Sequence, residues 1–249
     1  MLHAIKNLEV ADNVLQFPNL KLVDNNTDKK AESGTQSKYK SNGVLKPTAA
    51  EPIRRMEDVH AMQQWFLDHG QLRNYTIFTL GISWALRAGD LLSIEIGDVC
   101  DIDGTIYDHF VIYEDKTDKR QEIIITEENR KLLARYIDTL DRKYPWDPLF
   151  QSRQRGKNGN KKAINLNRLN QILYQVAAEC GIKEHISTHS LRKTFVYHMI
   201  KAHEGDQETL LLLQKMLNHS DLRITFRYCG IEKERTTELR NEISALLHM

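Results

Sequence analysis

The hydrophobic period of this sequence changes twice along the chain, and that change restricts the folds it can adopt. Apolar residues recur at helical spacing after residue 53 and again from residue 127 to the end. Between these parts, residues 107–114 and 121–126 read as strands that flank the polar turn 115–119. The pattern predicts an α+β domain that is mainly α, with a small antiparallel β-sheet on one edge.

The same periods predict the individual elements. Helices are expected around residues 59–67, 76–86, 128–140, 166–181, 189–200, 208–217, 221–228 and about 233–248. Residues Val99–Ile102 are a candidate for a third strand beside the hairpin.

The first part of the chain differs from the rest. Residues 24–43 are polar, poor in aromatic residues and without a hydrophobic period, and Pro47 and Pro52 follow them. We therefore expect residues 1–52 to form a flexible polar tail or linker and residues 53–249 to form the folded domain.

The composition indicates the cellular compartment of the protein but does not identify its binding partner. The formal net charge is only +1, so a nucleic-acid partner would have to be recognised by a local basic patch. The cysteines, Cys100, Cys180 and Cys229, are scattered and form no CxxC pair, which is typical of a reducing compartment. No segment has the apolar length of a membrane span or the apolar core of a signal peptide. We expect a cytoplasmic protein.

The segment HSLR places His189 and Arg192 three residues apart, on one face of a predicted helix. Cleavage of a phosphodiester without a metal concentrates negative charge on the non-bridging oxygens. An arginine can neutralise that charge through paired hydrogen bonds, and a histidine can donate a hydrogen bond or move a proton. Taken alone, the pair is more typical of a solvated helix face with a capping histidine.

A second histidine precedes a tyrosine that can act as a nucleophile. His219 and Tyr228 lie nine positions apart, which on one unbroken helix would direct them to nearly opposite faces. Ser220 and Asp221 resemble an N-cap, so we expect His219 to lie outside the helix that carries Tyr228. Taken alone, they are typical of a capping histidine and a half-buried core tyrosine.

Two further cations stand at positions where a phosphate site would need them. Arg87 lies between apolar residues where two helical stretches join, so it needs a partner, and Asp90 follows three residues later. Lys116 is placed in the predicted hairpin turn, where it could protonate the leaving 5′ oxygen, and Lys119 competes for that role. A local ion pair and a solvated turn are the alternatives.

These elements together resemble the tyrosine recombinase family, which includes phage integrases and Xer-type and Cre-type recombinases. The resemblance covers about residues 53–249 and rests on elements in the family's order and spacing. They are Arg87 in ALRAGDLL, Lys116 in a hairpin, HSLR at 189–192, LNH at 217–219, and Tyr228. It implies a tyrosine-recombinase-like catalytic domain that cleaves and rejoins DNA.

The resemblance also implies a role for each residue. Arg87 and Arg192 would bind the scissile phosphate, with Asp90 as the acidic neighbour of Arg87. Lys116 would be the general acid, and His189 and His219 would contact the phosphate. Tyr228 would attack to give a 3′-phosphotyrosyl intermediate and a free 5′ hydroxyl. The link conserves the bond energy and the arginines stabilise the charge, so no ATP, metal or other cofactor is implied.

The sequence departs from the family at two places. The usual LGH motif reads Leu217-Asn218-His219. Residues 1–52 are too short and too polar for the helical core-binding domain that closes a clamp around DNA in family members. The chain could thus be a minimal catalytic domain, a truncated relic or an enzyme that grips DNA with help.

A basic segment is the predicted contact with double-stranded DNA. Residues 151–170 contain no acidic residue and six basic ones, namely Arg153, Arg155, Lys157, Lys161, Lys162 and Arg168. A flexible solubilising loop is the alternative. The apolar stripe of the last helix is expected to dock on a neighbouring copy in a tetramer, although folding back in cis remains open.

Other functions remain compatible with these motifs. A type IB topoisomerase or a telomere resolvase would use nearly the same residues, and a DNA-binding relic would keep the fold without turnover. A metal site is not expected, because the spacing of His185, His189, His198 and His203 provides one i, i+4 pair but no HExxH pattern and no pattern with a carboxylate as third ligand.

Overall fold

The structure of the chain is a computed structural model. It describes residues 49–249 with the exception of residues 117, 142, 157–158, 204–205, 220, 222, 224, 226–229 and 249 and the side chains of residues 232 and 233. The predicted tail, residues 1–52, lies almost wholly outside the described residues. The last residues of this segment contact the folded domain. Lys193 Nζ donates to Ala50 O at 2.8 Å, and Glu51 N donates to His185 O at 3.1 Å.

The described chain is mainly helical, with one antiparallel hairpin, as the sequence predicts. The elements in order are α1 (Met56–Asp68), α2 (Leu72–Ser83), α3 (Ala88–Ser93), α4 (Ile96–Val99), β1 (His109–Tyr113), β2 (Arg120–Ile124), α5 (Glu127–Asp138), α6 (Leu166–Glu179), α7 (Thr188–Ala202), α8 (Gln207–Met216) and α9 (Ile231–Leu247).

The hairpin is attached to the core through one face. Strands β1 and β2 pair with Phe110 opposite Ile123, and both side chains are buried. The ring of Phe110 lies against Trp84, with ring centroids 5.0 Å apart. Because side chains alternate along a strand, the face that holds Phe110 also holds residue 114.

The predicted third strand is wrong in the described structure. Residue Val99 ends the short helix α4, and pairing beyond it is limited to an isolated bridge between Cys100 and Ile106. The Asp101 side chain accepts hydrogen bonds from the backbone N–H groups of Asp103 and Thr105. This tight turn reverses the chain after one bridge, so no ladder can extend.

Helix α2 forms the centre of the main core. Its residues Ile77, Phe78 and Leu80 are fully buried, and the helix packs against α1, α5 and α7. A smaller apolar cluster joins α7 to α8. Leu191 belongs to the first cluster and Val196 to the second, so α7 is shared by both cores. Their mutual packing fixes the position of the helix that carries HSLR.

The helix predicted over residues 76–86 ends earlier than expected. Helix α2 ends at Ser83, and Ala85 has a φ of 50°, in the left-handed region that a continuing helix cannot use. Apolar residues continue past this break because Trp84 and Leu86 are both buried in the core. The apolar pattern in the sequence therefore marks buried residues and continues beyond the end of the helix.

Close packing of α2 on α7 requires glycine at position 81. A Cβ atom there would lie 2.6 Å from Leu191 Cδ1 and 3.2 Å from Leu91 Cδ2. We predict that Gly81→Val lowers the free energy of unfolding by about 1–3 kcal/mol, because overpacking must displace α7 or its side chains. Urea unfolding measures the change.

Gly89→Ala is the matched control for this substitution. Nothing lies within 4 Å of a Cβ at position 89, and the residue lies in helix α3. Alanine should be neutral or stabilising there, by up to about 1 kcal/mol. Equal losses in the two variants would contradict the packing argument.

Candidate functional site

Arg192 is buried on α7 and joins two distant parts of the chain. Its side chain donates from Nη1 to Ala85 O and from Nη2 to Leu217 O, both at 2.8 Å, and the residue is only 3% exposed. Helix α7 begins at a capping box formed by Ser187 and Ser190, which sets where the HSLR segment enters the helix. The two carbonyl groups fix the plane of the guanidinium before any ligand arrives.

Left-handed backbone accompanies both carbonyl groups that bind Arg192. Ala85 has a φ of 50°, and Asn218, which follows Leu217, has a φ of 53°. Side chains other than glycine meet a steric cost in this region, and asparagine tolerates it better than most. The geometry explains why Leu217-Asn218-His219 can replace the LGH motif, since the second position needs a residue that accepts positive φ.

Substitutions at Asn218 test this reading of the motif. Glycine should preserve or slightly increase the free energy of unfolding, whereas Asn218→Val should lower it by about 1–2 kcal/mol because of the left-handed backbone. Chemical denaturation of the variants provides the measurement. The control is Asn241→Val on the exposed surface of α9, which should change stability by only a few tenths of a kcal/mol. A valine that is tolerated equally at both positions would refute the explanation.

Arg87 lies at the start of α3 and is bound by two acidic side chains. Its Nη1 atom lies 2.5 Å from Glu114 Oε1 and 3.9 Å from Asp90 Oδ2. Both carboxylates are buried, whereas the Arg87 side chain is 26% exposed. Asp90 Oδ1 also accepts a hydrogen bond from the Asp115 backbone at 3.1 Å. The two acids therefore fasten the end of strand β1 to Arg87.

Glu114 is a site residue that the sequence analysis missed. It was assigned to a strand but given no role. The alternation of side chains along β1 could have indicated that residue 114 is buried, because it falls on the same face as the buried Phe110. A carboxylate on a buried strand face needs a cationic partner, and Arg87 is that partner.

Lys116 lies in the hairpin turn directly after the anchored residues Glu114 and Asp115. Its side chain is exposed, as is that of Lys119. The Lys119 carbonyl accepts a hydrogen bond from Glu114 N at 3.0 Å. The turn is thus held near Arg87, and both lysines are candidates for the general acid. Because Lys116 is nearer in sequence to the anchor, it remains the predicted general acid.

Hydrogen bonds hold both the ring and the backbone carbonyl of His219. Its Nδ1 atom lies 2.9 Å from Oγ1 of the buried Thr225, and its carbonyl accepts a bond from Gln214 Nε2 at 3.1 Å. Burial lowers the pKa of His219, the positive charges of Arg192 and Arg87 lower it further, and Glu114 opposes them. Both arginines therefore act on one imidazole, and the site is a single electrostatic cluster.

His189 occupies the first turn of α7, one turn before Arg192. Partial burial and the positive charges of Lys193 and Arg192 lower the pKa of His189. Both site histidines are consequently neutral near pH 7. A neutral imidazole can donate one hydrogen bond and accept another, which suits proton exchange beside a phosphate.

The depressed histidine pKa values predict an acid-sensitive fold. Between the lowered pKa of the folded state and the ordinary value of 6.5, the unfolded chain binds more protons. Stability should therefore be fully present above pH 6.5 and be lost as the pH falls through the pKa of the folded state. His219→Gln should flatten this loss in thermal unfolding curves recorded from pH 7.5 to pH 5.

The exposed His60 on α1 provides the control. His60→Gln should leave the pH dependence as it is in the unchanged protein. If His219→Gln leaves the acid-induced loss undiminished, the electrostatic account of this cluster is wrong.

Two predicted site residues lie outside the described residues. These are Tyr228, the predicted nucleophile, and Lys157 of the basic segment. In the sequence, Tyr228 follows the buried Thr225 that contacts His219. Its role remains a prediction.

Most of the basic segment is exposed, with one exception. The exposed members are Arg153, Arg155, Lys162 and Arg168. Lys161 is different, because its side chain is only 9% exposed and its Nζ atom lies 3.5 Å from Asp147 Oδ2. It also donates to the Asp141 carbonyl. We therefore revise its predicted role, since this ion pair holds Lys161 inside the fold and away from a DNA surface.

The last helix, α9, is anchored at its start and exposed along its length. Glu234 accepts from Arg54 Nε at 2.5 Å, and its other oxygen lies 3.4 Å from Lys201 Nζ. The later apolar side chains, from Leu239 to Leu247, are between 50% and 75% exposed. The apolar stripe of α9 therefore has no apolar cover on the described part of its own chain.

The described residues contain no group of three or more His, Cys, Asp or Glu side chains arranged to hold a metal ion. Among the helices that the structure describes, none is long and apolar enough to cross a membrane.

Comparison with known sequences identifies close similarity to one family. The profile of the phage integrase family matches residues 55–235. The chain is 35% identical over 187 residues to the probable integrase/recombinase YoeC of Bacillus subtilis (strain 168), covering 75% of this chain and 92% of that protein. It is also 23% identical to tyrosine recombinase XerC of Actinobacillus pleuropneumoniae serotype 7 (strain AP76), over 79% of this chain and 61% of XerC.

The chain is 26% identical to tyrosine recombinase XerD of Staphylococcus saprophyticus, over 68% of this chain and 54% of that protein. The chain thus spans between about half and three fifths of the length of these Xer relatives.

Solved structures share the fold at lower identity. XerA recombinase superposes with a TM-score of 0.55 at 20% identity, over 79% of this chain and 66% of XerA. A lambda integrase dimer bound to a COC′ core site has a TM-score of 0.52 at 13% identity, over 75% of this chain and 50% of that one. These likenesses establish a tyrosine-recombinase catalytic fold and confirm the predicted fold class.

Proposed function

Because the chain belongs to the phage integrase family of tyrosine-type DNA recombinases, we propose that it is a site-specific recombinase or integrase with a 3′-phosphotyrosyl intermediate. The observation that carries the proposal is the pair of hydrogen bonds from the Arg192 side chain, which reach Ala85 O, two residues before Arg87, and Leu217 O, two residues before His219. The hairpin that bears Lys116 is fastened to the same place by Glu114. This arrangement supplies charge, hydrogen bonds and a proton donor around one phosphate.

In the proposed reaction, the Tyr228 oxygen attacks the phosphorus atom and the bond to the 5′ oxygen breaks. Lys116 gives a proton to the departing 5′ oxygen, while the phenol proton passes to a phosphate oxygen or a neutral histidine. Arg87 and Arg192 stabilise the charge that develops on the non-bridging oxygens. One phosphoester bond replaces another, so religation by a 5′ hydroxyl requires neither ATP nor a metal ion.

The partner is double-stranded DNA. The exposed arginines and lysine of residues 151–170 would contact its backbone, which explains how a chain of net charge +1 binds a polyanion through one surface. Lambda integrase and XerH have been solved bound to their DNA sites, which supports the assignment by analogy. The proposed location is the cytoplasm, because the protein needs access to its DNA substrate.

The proposed assembly is a tetramer on DNA linked by α9. Its exposed apolar stripe fits a neighbouring copy better than its own domain, because Glu234 fixes only the first turns. The proposed receiving surface is on α8, where Leu211, Leu212 and Met216 are between 40% and 53% exposed. This stripe favours a recombinase over a type IB topoisomerase, because relaxation of DNA through a single-strand break needs only one copy.

A nicked duplex that traps the covalent intermediate tests the proposal. Cleavage next to the nick releases a short oligonucleotide, so the protein–DNA adduct cannot religate and accumulates. A library with randomised cleavage sites compensates for the unknown target. We expect a denaturation-resistant adduct with the unchanged protein and none with Tyr228→Phe, which lacks the nucleophilic oxygen.

Tyr144→Phe, an exposed tyrosine distant from the motifs in sequence, is the matched control and should keep the adduct. An adduct that survives Tyr228→Phe would contradict the assignment of the nucleophile. Relaxation of supercoiled plasmid without exchange between two recovered sites would favour the topoisomerase alternative.

A further inference from the structure

A cavity of about 610 Å³ lies apart from the catalytic cluster, between the start of α2, residues 152–154 and one face of α6. Three arginines line it, namely Arg73, Arg153 and Arg168. The structure describes every residue of the lining, and none of these residues carries a carboxylate. Many of the remaining side chains are amides, among them Gln171 and Gln175.

Arg73 is held in place by neutral groups. Its Nη1 donates to Gln151 O at 2.7 Å, and Nε and Nη2 donate to Asn74 Oδ1 at 3.1 and 2.9 Å. Asn74 is itself buried and donates to Gln71 Oε1 at 2.6 Å. These bonds fix the guanidinium without bringing a negative charge to it. Sequence reasoning could not find Arg73, which is an isolated arginine at the start of a helix.

The cavity concentrates like charge. Burial lowers the pKa of Arg73, and the positive charges of Arg153 and Arg168 lower it further. Burial also raises the pKa of Tyr136 to about 12, so that phenol is neutral and offers no counter-charge. Three arginines that repel one another in a cavity without acids favour the binding of an anion.

We propose that this cavity binds a backbone phosphate of duplex DNA at a position other than the scissile one. The inference rests on the proposed function and names the phosphate site that Arg73 adds to the predicted contact segment. The amino-terminal end of α6 contributes as well, because the Asn165 cap and the helix dipole favour an anion there. The volume exceeds that of a single phosphate ion, which leaves room for the adjoining sugar.

This site is mechanically linked to the catalytic cluster. Asn170, on α6, accepts a hydrogen bond from Thr188 N at 2.8 Å, directly before His189. A phosphate bound by Arg168 on the same helix therefore has a fixed position relative to HSLR. Backbone contacts set the register of a protein on DNA, so the cavity would determine which phosphodiester reaches Arg192.

The salt dependence of DNA binding tests the proposal. Affinity for a labelled random-sequence duplex is measured between 50 and 300 mM salt for the unchanged protein, Arg73→Gln and Arg168→Gln. Each lost phosphate contact should reduce the slope of log K against log salt by about 0.9, which corresponds to about eightfold weaker binding near 0.1 M. Arg168 is exposed, so its variant checks the result without disturbing a buried residue.

Arg135→Gln is the matched control, because it removes the same charge from an exposed position on α5. It should leave the slope unchanged. An equal change of slope in the control, or no change in Arg73→Gln and Arg168→Gln, would overturn the proposal.

A second arm separates DNA phosphate from a free anion. Inorganic phosphate, compared with chloride at equal ionic strength, should raise the melting temperature of the unchanged protein more than that of Arg73→Gln. If this difference appears while the DNA slopes are equal, the cavity binds a free phosphate compound and the DNA assignment is wrong.

The covalent adduct, assayed in parallel, distinguishes failure of this site from failure of the proposed function. A reduced slope without any adduct would support the cavity and refute the recombinase. An adduct with an unchanged slope would support the recombinase and refute the cavity.

Discussion

The two hydrogen bonds of the Arg192 side chain are the interaction on which the rest of the site depends. They join the end of the α2 segment at Ala85 and the end of α8 at Leu217 to the helix that carries HSLR. These three parts of the chain are far apart in sequence, and no local interaction would bring them together. Because Arg192 is buried, its loss would leave a cavity and would remove the hydrogen bonds that two buried carbonyl groups accept from it.

Backbone strain and electrostatics follow from that contact. The left-handed residues are Ala85, whose own carbonyl accepts from Arg192, and Asn218, which follows the accepting Leu217, so bonds to a cation offset part of the strain. Asn218 is followed by His219, whose pKa is lowered by burial and further by the charges of Arg192 and Arg87. On the other side, Glu114 and Asp90 hold Arg87 and the hairpin in place. A phosphate would enter a site whose groups are already oriented.

The sequence predicted the parts of this arrangement that depend on period and spacing. The helices and the hairpin followed from the hydrophobic period, whereas the grouping of Arg87, HSLR and His219 was expected from the family resemblance. The end of α2 did not follow from the period, because buried Trp84 and Leu86 extend the apolar pattern past a backbone reversal. The third strand failed for a related reason, since the side chain of Asp101 closes a turn that strand propensity does not register.

Tertiary pairing explains the remaining differences. Glu114 and Arg73 are single charged residues whose roles depend on partners that are distant in the sequence. Lys161 was counted as a surface cation, although Asp147, which lies before the basic segment, pairs with it inside the fold. Such pairings cannot be obtained from one sequence, whereas the family resemblance supplied the order of the catalytic elements.

The central claim is that the planar fork of Arg192, oriented in advance, stabilises the transition state and does not anchor DNA. The most direct measurement is the single-turnover rate of adduct formation in Arg192→Lys, recorded together with duplex affinity and with thermal unfolding to confirm folding. Lysine keeps the charge but not the two parallel bonds. The account predicts a rate at least about 100-fold lower with affinity reduced less than about threefold. An unchanged rate, or equal losses in rate and affinity, would contradict it.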